Sequence, residues 1–373
     1  MKRITLIIAE VLIIAISLCP QLSAAENGIY ELEDSIPRDV AEYLPEEVFS
    51  GDANESTEAL TKISGLAFIL KYILRILTGS FPKVLPAFFS LLGIAVMCGT
   101  LKTFTANMKT SVGECASVCI SFCLASIVFG IQYLIVRATE EYLVKIATVM
   151  RSMIPVMSAI YTAGGNFSSA SANGCGMLVF LSVSELVLSN VLLPMVKICF
   201  ALFFAGLISG NLGFGGVGEA VKKAAVFFLT FIASVIGAVT AFQSVLSQSA
   251  DNAASRIVKF SLGSFVPIVG SALSDTVRSM STGLSLVKNS VGIFGIVIIV
   301  LIALPPLIFA FLHKFSFFIL SAVSGMLGCE RETRFFTEVS GLQNLIIAII
   351  CISSLLFVMS MSVFVASSLA MGT

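Results

Sequence analysis

Glu185 is the only acid or base inside the clearly apolar stretches of this chain. Ser182, Ser184 and Ser189 flank it, and Asn190 follows one turn on. A carboxylate surrounded by hydrocarbon is expensive, so it faces the protein interior, a partner or water. Two chemistries fit: a proton or ion site, or an interhelical hydrogen bond with Gln132 or Gln243 as partner. Cys115, Cys119 and Cys123 fall at i, i+4 and i+8 on one helical face. They read as small packing residues, and no metal or cofactor is expected from them. His313 is the single histidine, beside Lys314 at a span end. No nucleophile–base pair and no paired aspartates come together in the sequence, so it reads as non-enzymatic with no catalytic residue. The Gly-rich runs 164–176 and 206–218 lack the spacing of a phosphate loop. The first reads as a polar connection or an unwound segment at a cavity. The second reads as close helix packing through Gly206 and Gly210.

The elements that position these residues are membrane helices. Of 373 residues, 57% are hydrophobic and 12% charged, against about 45–50% and about 25% in ordinary soluble domains. This excludes a water-soluble enzyme, a nucleic-acid binder and a disordered tail. The fold class is all-α, a polytopic protein of about seven to eight spans, because a segment in lipid has to satisfy its own backbone hydrogen bonds. The clear spans are 84–101, 115–136, 175–196, 198–217, 224–246, 291–312 and 345–370. Segment 315–328 is a short tilted span or a re-entrant helix. Segment 61–83 reads as an amphipathic interfacial helix, with Lys71 and Arg75 snorkelling.

The N-terminus has the pattern of a cleaved signal peptide over 1–25. Lys2 and Arg3 precede an apolar run, Pro20 breaks it, and Ser23 and Ala25 stand at −3 and −1 of the cut. Residues 26–60 form an acidic leader with eleven acids against Arg38 alone, and they are expected outside the cytoplasm. The polytopic membrane domain is 84–373. Its loops show no bias of Lys and Arg that would orient it.

Two regions are neither loops nor clean spans. Residues 137–163 begin charged and end apolar around Pro155; residues 251–290 hold Arg256, Lys259 and Pro267 among apolar positions. The stripe Val277, Met280, Leu284, Val287 and Val291 recurs at helical spacing. It reads as an interfacial helix or as a wall of a wet cavity. Residues 153–157 resemble 265–269, Leu193-Pro194 resembles Leu304-Pro305, and 209–213 resemble 324–328. Read as units of three crossings, these make an inverted repeat with chain breaks at Pro155 and Pro267, the arrangement of many transporters. The candidate functional positions are therefore Glu185, Asn190, Pro155, Arg256, Lys259 and Pro267.

The stretch from Ala241 to Leu307 carries Asp251, Arg256, Lys259-Phe260, Gly263, Phe265-Val266-Pro267-Ile268-Val269-Gly270, Ser274-Asp275, Leu286-Val287-Lys288-Asn289 and Val291-Gly292. It closely resembles the stage III sporulation protein AE family of endospore-forming Firmicutes. It departs from the family at Asn252-Ala253-Ala254, where Gly is usual. The resemblance implies a multi-pass protein of the mother-cell membrane facing the forespore. Its partners would be the other stage III A sporulation proteins, including a secretion-type ATPase and ring proteins of the intermembrane space, with the lipid bilayer and no nucleic acid. The implied function is a subunit of a mother-cell-to-forespore channel or secretion-like assembly. The alternative is a transporter-like permease for a small solute within it. The leader provides a direct test: a cysteine at Asn54 should react with an impermeant thiol reagent in intact cells. Protection until lysis would place the leader inside.

Overall fold

The computed structural model describes residues 66–105, 111–163, 179, 181–209, 214–234, 238 and 270–366. Among them the regular structure is helical: α1 Leu66–Thr105, α2 Ser111–Ala163, α3 Leu181–Ser209, α4 214–234, α5 Gly270–Met326 and α6 Glu330–Ala366. Five are long and apolar enough to cross a membrane, at Leu70–Thr103, Val118–Ile160, Leu181–Ser209, Gly295–Met326 and Glu330–Met361. The sequence reading counts seven to eight spans because it cuts helices at charged or proline-bearing stretches. Segments 175–196 and 198–217 meet within one helix through Lys197, and 291–312 runs into 315–328 without a break. Residues 66–78 continue into 84–101 as α1, although Pro82 and Pro86 lie inside it.

Contacts fix the direction of each helix. α5 and α6 form an antiparallel hairpin: Ser321 Oγ lies 2.7 Å from Thr337 Oγ1, the rings of Phe317 and Phe336 are 6.4 Å apart, and a Cβ on Gly295 would meet Met361. The turn is set by chemistry. Gly328 has φ +73°, a left-handed conformation that costs glycine little. Its N–H donates to Gly325 O at 3.1 Å, and Cys329 N–H donates to Ser324 O at 2.9 Å. This reciprocal pair ends α5 in a Schellman motif. α6 then starts at once, with Thr333 N–H donating to Cys329 O at 2.9 Å.

α1 ends on this same turn. A Cβ on Gly99 would stand 2.8 Å from Leu327 Cβ, and Lys102 Nζ donates to Gly328 O. α2 runs back from there, parallel to α6: Gln132 meets Gln343 and Tyr142 meets Ser353, ten residues further along both helices. α3 returns antiparallel to α2, and α4 starts on the turn side, where Gly218 approaches Phe203 of α3 and Gly215 approaches Arg334 of α6. The ends of α1, α3 and α5 and the starts of α2, α4 and α6 therefore share one face.

That topology bears on the repeat. Among the described residues the first unit contributes α2 and α3 and the second α4 and α5, and most of the residues joining α4 to α5 lie outside the description. α2 passes through Pro155 as continuous helix, so the expected break is absent there. Its mate, Pro267, lies outside the described residues.

α6 is the centre of the bundle. It packs against α5, α3 and α2, and Phe336, Val339, Leu342, Ile346, Ile349, Ile350 and Met361 are fully buried. The approach of α1 to the turn depends on the missing side chain at Gly99. Gly99→Ile should cost about 1–3 kcal/mol through overpacking. The check is a lower unfolding midpoint of the purified protein in detergent, with Gly79→Ile, which faces open space, as the control.

Candidate functional site: a polar seam along the second helix

α2 carries charge through the length over which it should span. It is 53 residues long, about 80 Å at 1.5 Å per residue, against about 30 Å of hydrocarbon. Its polar side chains meet partners on two neighbours and within the helix itself. Against α3, Arg151 Nη2 donates to Glu185 Oε2, and Lys197 Nζ donates to Glu140 Oε1 at 2.6 Å. Against α6, Gln343 Nε2 donates to Gln132 Oε1 at 2.7 Å, and Tyr142 Oη lies 2.9 Å from Ser353 Oγ. Within α2, Arg137 Nε donates to Glu141 Oε1 at 3.1 Å.

The two ion pairs to α3 have opposite polarity and unequal spacing. Glu140 and Arg151 are 11 residues apart, about three turns, and so share a face. Glu185 and Lys197 are 12 apart, which in a regular helix overshoots three turns by about 120°. Between them lies one π turn, Leu188–Leu192, in which Leu193 N–H bonds Leu188 O. A π turn absorbs one extra residue and so returns Lys197 to the face of Glu185. Its cause is local. Pro194 has no N–H for Asn190 O, and its ring crowds that carbonyl. Asn190, singled out from sequence, belongs to this turn and is exposed.

A third pair joins α4 to α6, with Lys222 Nζ donating to Glu338 Oε2 at 3.1 Å and lying 5.6 Å from the Phe203 ring centroid. Gly341 makes room, since a Cβ there would lie 2.9 Å from Lys222 Nζ. Nearby on α4, the hydrogen bond and charge of Lys223 hold exposed Glu219 below the usual carboxylate range.

Exposure separates these groups. Gln132 and Gln343 are fully buried, and their pairing leaves Gln132 Nε2 and Gln343 Oε1 without partners among the described residues. The pairs to α3 are open on one side: 52% of the Arg151 side chain, 41% of Glu185, 55% of Lys197 and 43% of Glu140 are exposed. They border an outward stripe of α2, Arg137, Glu141, Val144, Thr148, Arg151 and Pro155, at alternating spacings of four and three.

Several expectations change. Glu185 has a cation as partner rather than Gln132, which bonds Gln343; Gln243 lies outside the described residues. His313 sits inside α5, not at its end, and is buried with Nδ1 2.9 Å from Phe309 O. Pro155 is exposed on α2, while Arg256 and Lys259 lie outside the described residues, as does Pro267. Sequence reading missed Lys197, which it used as a loop between two spans. The available signal was Glu140, an opposite charge on a neighbouring apolar helix. It also missed the convergence of Cys98, Cys329 and Glu332, buried together with their ligand atoms within 4.8 Å of one another.

These features define a multi-pass helical membrane protein with charge pairs seated between its spans. Within that class the chain belongs to the stage III sporulation protein AE family, whose sequence model matches residues 56–368. It is 22% identical over 279 residues to Stage III sporulation protein AE of Bacillus subtilis (strain 168), covering 74% of this chain and 70% of that protein. No solved structure matches it. Membership gives the chain a role in sporulation and involvement in the stage III apparatus.

The buried amide pair is testable by a double-mutant cycle. Gln132→Leu or Gln343→Leu alone should cost about 1–3 kcal/mol by orphaning the other amide, and the double variant should recover most of the loss. The unfolding midpoint in detergent measures it. Glu140→Lys should likewise lower the amount of membrane-inserted protein, and adding Lys197→Glu should restore it.

Proposed function

We propose that the chain is a membrane subunit of a channel or secretion-like assembly joining mother cell and forespore. It would work with the other stage III A sporulation proteins, including a secretion-type ATPase and intermembrane ring proteins. The supporting observation is the exposed charge along α2 and α3. A charge facing lipid at mid-bilayer costs about 2.5–3.5 kcal/mol. A stripe holding Arg137, Glu141 and Arg151, bordered by Glu140, Lys197 and Glu185, is therefore suited to face protein or water. An assembly supplies both: a neighbouring subunit on the outside, or an aqueous path that several subunits enclose.

The permease alternative rests on Glu185 as a titrating site and on broken helices meeting inside the bundle. Glu185 instead faces Arg151, and the helix through Pro155 is unbroken. An ion pair of this kind joins helices, and Gln at 185 keeps a hydrogen bond to Arg151. Glu185→Gln should therefore leave protein level and sporulation close to wild type; a stable but inactive Glu185→Gln protein would favour the permease.

The assembly reading is tested in sporulating cells with a photo-crosslinking residue at Val144, in the middle of the stripe, and at Phe318, an exposed apolar position of α5. Val144 should give adducts with a second copy or another stage III A protein, and Phe318 mainly lipid adducts. Lipid adducts alone from Val144 would overturn the reading.

A further inference from the structure

We propose that Cys98, Cys329 and Glu332 bind a thiophilic divalent cation of the zinc class, which fastens the C-terminal end of α1 to the turn between α5 and α6. Cys98 lies more than two hundred positions before Cys329 and Glu332, and all three are buried, at 8%, 1% and 4% exposure. Their two sulfurs and a carboxylate oxygen lie within 4.8 Å of one another. Zinc takes thiolate at about 2.3 Å and carboxylate at about 2.0–2.2 Å in a tetrahedron, so its ligands stand about 3.8 Å apart. Side-chain rotation closes the difference.

The backbone presents these groups deliberately. The left-handed turn at Gly328 places Cys329 between two helices, with its N–H tied to Ser324 O and its carbonyl receiving the Thr333 N–H. Glu332 follows one turn into α6. Gly99, beside Cys98, lets α1 approach Leu327 closely enough for the thiol to reach them.

The charges also fit. Binding releases the two thiol protons, and a divalent ion with two thiolates and one carboxylate carries a net charge of −1. Lys102, one turn beyond Cys98, reaches the same turn at Gly328 O. Ser324 Oγ is fully buried and has no partner among the described residues; a water completing the ion's coordination would give it one. A disulfide between the thiols would leave the buried carboxylate without a function, so Glu332 favours the ion. The other described buried or half-buried cysteines, Cys199 and Cys351, join no such ligand group among the described residues.

The experiment measures metal in the full-length protein, purified in detergent from zinc-supplemented medium and passed through gel filtration. Wild type should carry about one zinc per chain, the stoichiometry of a single structural site. Cys98→Ser and Cys329→Ser should lose it, Glu332→Gln should retain it weakly, and Cys199→Ser and Cys351→Ser should match wild type. If the ligand variants do not fold, wild type alone decides. After chelation and reloading with Co2+, it should show the thiolate-to-metal absorption of a two-sulfur site, and chelation should expose Cys98 and Cys329 to alkylation. Wild type without stoichiometric zinc, a Co2+ form lacking thiolate absorption, or an intact Cys98–Cys329 disulfide by mass would each overturn the proposal.

Discussion

Charges that enter the apolar body of this chain have to be answered, three of the pairs across helices, and the bundle is organised around those answers. α2 cannot be a simple span, because Arg137, Glu140, Glu141, Lys145 and Arg151 punctuate it. Its polar groups fix it against α3 through two ion pairs of opposite polarity and against α6 through an amide pair and a tyrosine. Half-exposed pairs add little to stability by themselves. Their effect is on register: sliding α2 against α3 by one turn would bring like charges together or leave each unpaired in a poor solvent. Burial of apolar surface holds the helices together non-directionally, and the charges select which alignment survives.

The π turn of α3 follows from the same demand. Pro194 disturbs the helix ladder at one point, and the widened turn takes up a residue that would otherwise rotate Lys197 away from its partner. A local defect and a long-range pairing are thus one feature. The turn between α5 and α6 has a similar economy. One left-handed glycine ends a helix, begins another, accepts a lysine from α1 and sets Cys329 beside Cys98.

Much of the architecture was legible in the sequence. Hydropathy shows the helical class, and the stretch from Ala241 to Leu307 shows the family. The number of helices was less legible because charge was read as a boundary. Lys197 looks like a loop residue in a window of twenty, and only the partner at Glu140, 57 residues earlier, makes it a tolerable span residue. Glu185 was legible as an interior polar group, but its partner was not, since Arg151 stood in a segment assigned to neither loop nor span. The grouping of Cys98 with Cys329 and Glu332 was invisible in sequence, because no local spacing links residues more than two hundred positions apart.

The parallel contact of α2 with α6 has a consequence for the order of manufacture. Gln132 emerges from the ribosome 211 residues before Gln343, about 10–40 s earlier at bacterial rates of roughly 5–20 residues per second. Through that interval an amide destined for the dry centre of the bundle has no permanent partner, and neither does Tyr142. α2 therefore waits beside water, lipid headgroups or the insertion machinery, and it is sealed only when the last helix arrives. A nascent chain interrupted before α6 would expose the polar side of α2 and become an early substrate for membrane proteolysis.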